Sequence, residues 1–225
     1  MEATPTTCMK RKVLVVDAHP IIRAGLVHVI ANEPDLLVCD EADDGSLAMK
    51  KIDARKPDVI ILDVFLNGCD GIEFIKSLKA KSADLPILVF SIHEESLYAP
   101  RVLRAGARGY LMKQEPTEKV LIGLRRVLAG GVFLSENMSN RMLEEFVGDA
   151  KSNHKLWVDR LSDRELEVFR FIGQGQGTRR IAEKLHLSIK TIECYREHIK
   201  EKMMFRDASE LVHHAIRWVE KERAL

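Results

Sequence analysis

Between Val59 and Leu62 the chain places four branched apolar residues in succession, then a carboxylate at Asp63, then a loop that runs through Gly68 to Gly71. A segment apolar at every position, and not merely at every second one, predicts a parallel strand covered on both faces. Such a strand needs helices on either side of its sheet, so the chain is committed to an α/β layer architecture. The carboxyl ends of parallel strands form the crevice where such folds place chemistry, which makes Asp63 the first candidate functional residue. A plain turn-capping role for Asp63 is the competing reading.

Length allows one large domain or two smaller ones, since the chain has 225 residues. Its 35 Lys and Arg against 34 Asp and Glu give no global basicity of the kind that advertises nucleic acid, and no global acidity. Cys8, Cys39, Cys69 and Cys194 are far apart and form no Cys-x-x-Cys or Cys/His ligand cluster, a usage that suits reduced thiols and argues against structural zinc. No apolar run reaches the roughly 18 residues of a membrane span, and Met1 to Thr7 lacks the layout of a secretory signal. The expectation is a cytoplasmic protein with no membrane partner.

In order, Lys12 to Asp17 predicts a second strand ending on a carboxylate, and Pro20 opens a helix over about Ile21 to Ala31. A short strand near Leu36 to Cys39 and a helix near Ser46 to Arg55 follow, with Leu47 and Ile52 as its sheet-facing residues. After the Asp63 strand, Asp70 caps a helix reaching about Ala80, and Pro86 to Ser91 predicts another strand. A helix near Glu94 to Ala105 ends at Gly106, Gly109 to Lys113 makes a fifth strand, and Pro116 opens a helix running to Gly130 and Gly131. Alternation of this kind predicts a parallel sheet with helices on both sides. A sheet of that type gathers Asp17, Asp63, Ser91 and Lys113 at one edge. Two carboxylates, a hydroxyl and an ammonium can hold a divalent cation on oxygen ligands, offer a carboxylate nucleophile and stabilise an incoming phosphoryl group.

Residues from about Lys12 to Gly131 resemble the receiver domain of two-component response regulators. The carrying features are an acid after the first strand, Leu62-Asp63 in the third, Ser91 after the fourth and Gly109-Tyr110-Leu111-Met112-Lys113. The resemblance implies a doubly wound five-stranded parallel sheet of order 2-1-3-4-5. It also implies that Asp63 is the phosphoacceptor, Lys113 the phosphate-pairing lysine, Ser91 the switch hydroxyl and Tyr110 the switch aromatic. Mg²⁺ would be held by Asp17, Asp63 and the carbonyl of Phe65, and a histidine kinase would be the partner. Two positions depart from the family. Its usual pair of acids after the first strand reads Asp17-Ala18, which removes the carboxylate that normally touches the metal and weakens the Mg²⁺ site. Ile92 stands where the family often has a small residue and is expected to crowd the acceptor.

From about Val132 to Val158 the pattern turns polar, as in Asp149 to His154, and predicts a linker with a short helix at Ser139 to Phe146. Beyond it the chain reads as helical. Ser162-Asp163-Arg164-Glu165 has capping-box spacing ahead of Leu166, Phe169 and Ile172. The following Gly173-Gln174-Gly175-Gln176-Gly177 succeeds a helix and not a strand, which excludes a nucleotide phosphate loop. Thr178 caps a short helix, Ser188 a longer one over about Ile189 to Met203, and Asp207 to Glu210 forms a second capping box. Two helices joined by a tight turn predict a helix-turn-helix.

From about Leu161 onward the chain resembles the four-helix DNA-binding domain of the NarL/LuxR type, carried by Leu161 to Val168, Ile181 to Ser188 and Lys190 to Glu193. Helical geometry sets Ile189, Ile192, Tyr195, Ile199 and Met203 on the inner side and Lys190, Glu193, Cys194, Glu197 and Glu201 on the other. The residues expected at DNA are Thr178, Lys190, Thr191, Glu193, Cys194, Arg196, Glu197 and Lys200, with the glutamates suited to cytosine N4 and the cations to phosphates. At Met204 the family usually has a glycine; a left-handed conformation there costs an ordinary residue about 1 kcal/mol or more, so the helix is expected to run on or end differently.

The expected layout is a tail over 1–10, a receiver over 11–131, a linker over 132–157 and a LuxR-type helix-turn-helix domain over 158–225. As a whole the resemblance implies a non-enzymatic transcription regulator, a homodimer on double-stranded DNA gated by the Asp63 pocket, with no organic cofactor. Three other readings fit parts of the chain. Ala18 favours a receiver that works without phosphorylation, and a helical domain without DNA would make an interaction adaptor. An aspartate-nucleophile phosphatase usually carries a second acid where this chain has Phe65.

Overall fold

The computed structural model describes residues 9–66, 69–147, 157–185 and 187–223. The chain separates into two compact units, one running through Glu95 and including Val102–Glu136, the other made of Ser96–Arg101 and the chain from Asn137 on.

The first unit holds β1 (Arg11–Val16), α1 (Pro20–Ala31), β2 (Leu36–Ala42), α2 (Gly45–Arg55), β3 (Val59–Leu62), the two-residue strands β4 (Phe65–Leu66) and β5 (Cys69–Asp70), α3 (Gly71–Lys81), β6 (Ile87–Ser91), α4 (Glu95–Ala105, shared between the units), β7 (Gly109–Met112) and α5 (Thr117–Leu128). Its parallel sheet has the order β2-β1-β3-β6-β7. Leaving aside the small antiparallel hairpin β4–β5, this is the expected order 2-1-3-4-5.

The unbroken apolar strands are buried on both faces. Val13, Val15, Val59, Ile61, Leu88 and Phe90 join Leu26, Ile30, Val120, Leu124 and Val127 in one core cluster. The alternate residues Leu14, Val16, Ile60, Leu62 and Val89 are equally sequestered. Removing so much apolar surface from water is what holds the sheet between its helices. Register then fixes the edge: Val16 pairs with Leu62, and Ser91 with Met112, so β1, β3, β6 and β7 end at one level.

Local signals act largely where expected. Pro20 sits at the first turn of α1, the Asp44 and Asp70 carboxylates accept from Leu47 N and Ile72 N, and Gly106 ends α4 with φ 112°. On α2 the buried contacts come from Ala48 and Ile52, with Leu47 only half-buried. Ile92, expected to crowd the acceptor, has 53% of its surface exposed. Gly71 is required by packing, since a Cβ there would lie 2.4 Å from the Val64 carbonyl oxygen.

The second unit contains α6 (Glu136–Val147), a 3₁₀ turn η1 (Trp157–Arg160), α7 (Asp163–Gly173), α8 (Thr178–Leu185), α9 (Ile189–Met203) and α10 (Ala208–Arg223). Helix α6 includes the short helix expected in the linker and begins a turn earlier; the polar run Asp149 to His154 lies outside the described residues, as do Asn67, Gly68 and His186. Val158, Leu166, Phe169, Ile172, Ile181, Ile192, Ile199, Leu211, Ala215 and Val219 form the helical core.

Ser162 and Glu165 make the reciprocal capping box, and Ser188 Oγ accepts from Thr191 N. Three expectations are corrected. Thr178 is the first helical residue of α8, and the Gly177 carbonyl receives the Ile181 amide in its place. At α10, Asp207 accepts from Ser209 N and Glu210 N, but the Glu210 carboxylate reaches Arg206 N, so the box is displaced by one residue. Met204 does adopt the left-handed conformation, φ 57° and ψ 35°, and ends α9 as the glycine would. Its amide bonds Glu201 and Lys200 carbonyls while Phe205 N bonds Lys200 O at 2.9 Å, a Schellman closure that satisfies the last carbonyls of the helix.

Candidate functional site

The shared level of the strand ends brings the polar residues together. Asp17 follows β1, with its amide on Ala42 O; Asp63 follows β3, with its amide on Val16 O; and Lys113 follows β7, with its amide on Ser91 O. The Lys113 ammonium lies 2.5 Å from Asp17 Oδ2 and 2.6 Å from Asp63 Oδ2, and Ser91 Oγ donates to Asp63 Oδ1 at 2.9 Å. Asp17 and Asp63 are each 2% exposed and Ser91 is fully buried.

Two carboxylates thus share one ammonium, a formally anionic group whose remaining charge calls for a cation. Low effective dielectric strengthens attraction here well beyond its value in water. The Asp63 oxygens are oriented by one cation and one hydroxyl, the arrangement that can stabilise both a nucleophilic carboxylate and a phosphoryl group placed on it.

Around this group lie residues the sequence reading did not single out. His19 donates its backbone N–H to Asp17 Oδ1 at 2.8 Å, and its ring Nδ1 lies 3.0 Å from the same oxygen. Arg23 Nη1 donates to the Asp17 carbonyl at 2.7 Å. Among the described residues, Asp17, His19 and Asp63 each bring a potential ligand atom within 4.8 Å of the others. Spacing was the available signal for His19, two residues beyond Asp17 on the same strand-end turn.

For a hard divalent cation the oxygen donors brought together here are the Asp17 and Asp63 carboxylates. Ala18 contributes none. This oxygen set fits a magnesium ion that keeps several waters. Tyr110 is fully buried on β7, and its hydroxyl donates to the His93 carbonyl at 2.9 Å. His93 in turn packs edge-on against Phe65, ring centroids 4.3 Å apart.

In the helical unit, Lys190, Glu193, Cys194 and Glu197 are exposed along α9, as expected for an outer face, whereas Ile192 and Ile199 are fully buried. Ile189 is the exception on the inner side, with 46% of its surface exposed. Thr191 is half-buried, its hydroxyl 2.8 Å from that of Ser188, and Lys200 pairs with Glu197 at 2.8 Å. Arg196 is half-buried, and burial pushes its pKa below the ordinary arginine value. Thr178 is half-buried, while Arg179 and Arg180 beside it are exposed cations outside the expected set.

Residues 13–124 match the family described as "Response regulator receiver domain", and residues 159–215 match "Bacterial regulatory proteins, luxR family". The chain is 32% identical over 210 residues to the oxygen regulatory protein NreC of Staphylococcus carnosus, covering 92% of this chain and 97% of that protein. A two-component response regulator of the LuxR family from Aurantimonas shares 30% identity across 61% of this chain and 99% of its own, with a TM-score of 0.57. The Salmonella typhimurium response regulator RcsB superposes with a TM-score of 0.71 over 93% of this chain and 98% of its own; at 24% identity that likeness concerns fold. Receiver-type pocket, helix-turn-helix unit and near full-length similarity agree: the chain belongs to the response regulators that join a receiver domain to a LuxR-family regulatory domain.

Proposed function

We propose that this chain is a DNA-binding transcription regulator whose Asp63 accepts a phosphoryl group and thereby governs the helix-turn-helix unit. The observation that carries the reading is Asp63 itself, buried at the end of the central strand with Lys113 Nζ on one carboxylate oxygen and Ser91 Oγ on the other. In the transfer, an Asp63 oxygen forms a bond to phosphorus as the phosphorus–nitrogen bond of a phosphohistidine on a partner kinase breaks. Lys113 neutralises charge on the phosphoryl oxygens, and Ser91 supplies a hydroxyl for one of them. Asp17, Asp63 and the Phe65 carbonyl would hold Mg²⁺, which when bound supplies further positive charge at the phosphoryl oxygens. A phosphate on Asp63 competes for the Ser91 hydroxyl, and the Tyr110 side chain relays that change within the receiver. The active species is a homodimer on two half-sites of duplex DNA in the cytoplasm, with Lys190, Thr191, Arg196 and Lys200 at phosphates and Thr178, Glu193, Cys194 and Glu197 along the groove.

Intact-mass measurement after incubation with a small phosphodonor and Mg²⁺ tests the receiver. Wild type should gain one phosphate, Asp63→Asn none, and Ala18→Asp should gain it faster. Ala18 specifically favours a second reading, in which the receiver dimerises without phosphorylation; no added mass on wild type under conditions that modify Ala18→Asp would defeat the phosphoswitch. For the helical unit, binding to duplex DNA should weaken steeply as salt rises, because neutralised phosphates release counterions. Absence of binding even at low salt would favour an adaptor.

A further inference from the structure

The outward face of α9 pairs Cys194, placed along the groove in the regulatory reading, with His198, which that reading leaves unused. Cys194 and His198 lie one helical turn apart, both exposed, with the thiol sulfur 3.6 Å from the ring nitrogen Nε2. The other ring nitrogen, Nδ1, lies 3.9 Å from Oε1 of Glu165 on α7, whose side chain is only 4% exposed. Glu165 is itself held in place, because Ser162 N and Lys202 Nζ donate to its Oε2 at 2.7 and 2.6 Å. Burial pushes the Glu165 carboxyl upward, but those two donors outweigh it and keep its pKa below the ordinary value. A thiol, an imidazole and an anchored carboxylate therefore follow one another at 3.6 and 3.9 Å, the order of groups in which a base activates a nucleophile and a third group stands behind the base.

We propose that Cys194 is a reversible thiolation site on the DNA-facing side of α9, with His198 as its proton acceptor and Glu165 as the residue that positions His198. The reactant is a low-molecular-weight disulfide such as oxidised glutathione. His198 Nε2 takes the thiol proton and the sulfur attacks one sulfur of the disulfide. The disulfide of the reagent breaks as a new one forms at Cys194, and the departing thiolate recovers the proton from the imidazolium. A thiol and a disulfide exchange partners, with no electrons lost or gained overall. The adduct is bulky and anionic, and it sits between Glu193 and Glu197, which are exposed on the same face. Extra negative charge there repels the phosphate backbone, so modification releases DNA. Cys39 provides an internal comparison, being half-buried, with burial pushing its thiol pKa upward.

This inference rests on the DNA-binding reading, and the test separates the two. The full chain is treated with oxidised glutathione, the adduct is located by peptide mapping, and each protein's binding to a mixed-sequence duplex at low salt is compared before treatment, after it and after dithiothreitol. Cys194 should be modified faster than Cys39, and His198→Gln should slow its modification about tenfold or more. Modified wild type should bind DNA about tenfold more weakly than the same sample after reduction, whereas treatment should leave the binding of Cys194→Ser where it was before treatment. Equal modification rates in wild type and His198→Gln, or undiminished DNA binding by modified protein, would overturn the proposal. Absence of binding by the reduced protein would overturn the switch together with the DNA-binding reading, while the mapping would still judge the thiol chemistry by itself.

Discussion

Met204 shows how a single residue can do the work of another at a measurable cost. Its left-handed φ of 57° brings the Cβ of an L-residue too close to the following carbonyl, and its side chain, 76% exposed, recovers little by packing. Met204→Gly should therefore stabilise the protein by about 1 kcal/mol, read as a shift in urea midpoint at unchanged slope. The gain combines relief of strain with the opposing entropy that glycine adds to the unfolded chain. Asp40 makes a pH-dependent case. Hydrogen bonds from Lys51, then Arg55, lower its pKa from 3.8 to about 2. A lowered carboxylate pKa contributes stability that is complete above the unfolded value and is lost as pH falls through the folded one. The advantage of wild type over Asp40→Asn should hold above pH 3.8, shrink below it and vanish beneath about 2 in parallel denaturation series.

At the scale of elements, caps and close approaches decide where helices begin. Ser162 Oγ and Glu165 close α7 reciprocally, so Ser162→Ala should cost about 1 kcal/mol in thermal or urea unfolding. Gly71 lets the start of α3 pass against Val64, one residue beyond Asp63. Gly71→Ala should cost about 1–3 kcal/mol by overpacking. The same variant should slow phosphodonor labelling of Asp63, because the displaced backbone belongs to the loop that holds its carboxylate. Most of these elements were legible in the sequence, since buried strands, proline starts and glycine stops are local signals. The hairpin β4–β5 and the turn η1 were not, because strands of two residues and a 3₁₀ turn of four are too short to carry a period.

For the whole molecule, the near balance of 35 basic and 34 acidic residues leaves no net charge to attract nucleic acid, so DNA affinity rests on local cations. Lys190 is exposed on α9, while Lys200 is already paired with Glu197. Lys190→Ala should lower the slope of log affinity against log salt by about 1, whereas Glu197→Gln should raise affinity, both read from binding titrations at several salt concentrations. A salt slope identical to wild type in Lys190→Ala would remove that residue from the phosphate contacts.

Asp63, Asp17, Ser91 and Lys113 were readable from sequence as strand-end residues, because burial forces an unbroken apolar run and a polar residue marks where it meets solvent. That one ammonium would bridge both carboxylates, that His19 would turn its ring to Asp17, and that Glu165 of α7 would approach the His198 ring required the folded chain. Periodicity reports which side of its own element a residue occupies. Distances between side chains on different elements depend on register and packing, which the chain settles only when its layers close.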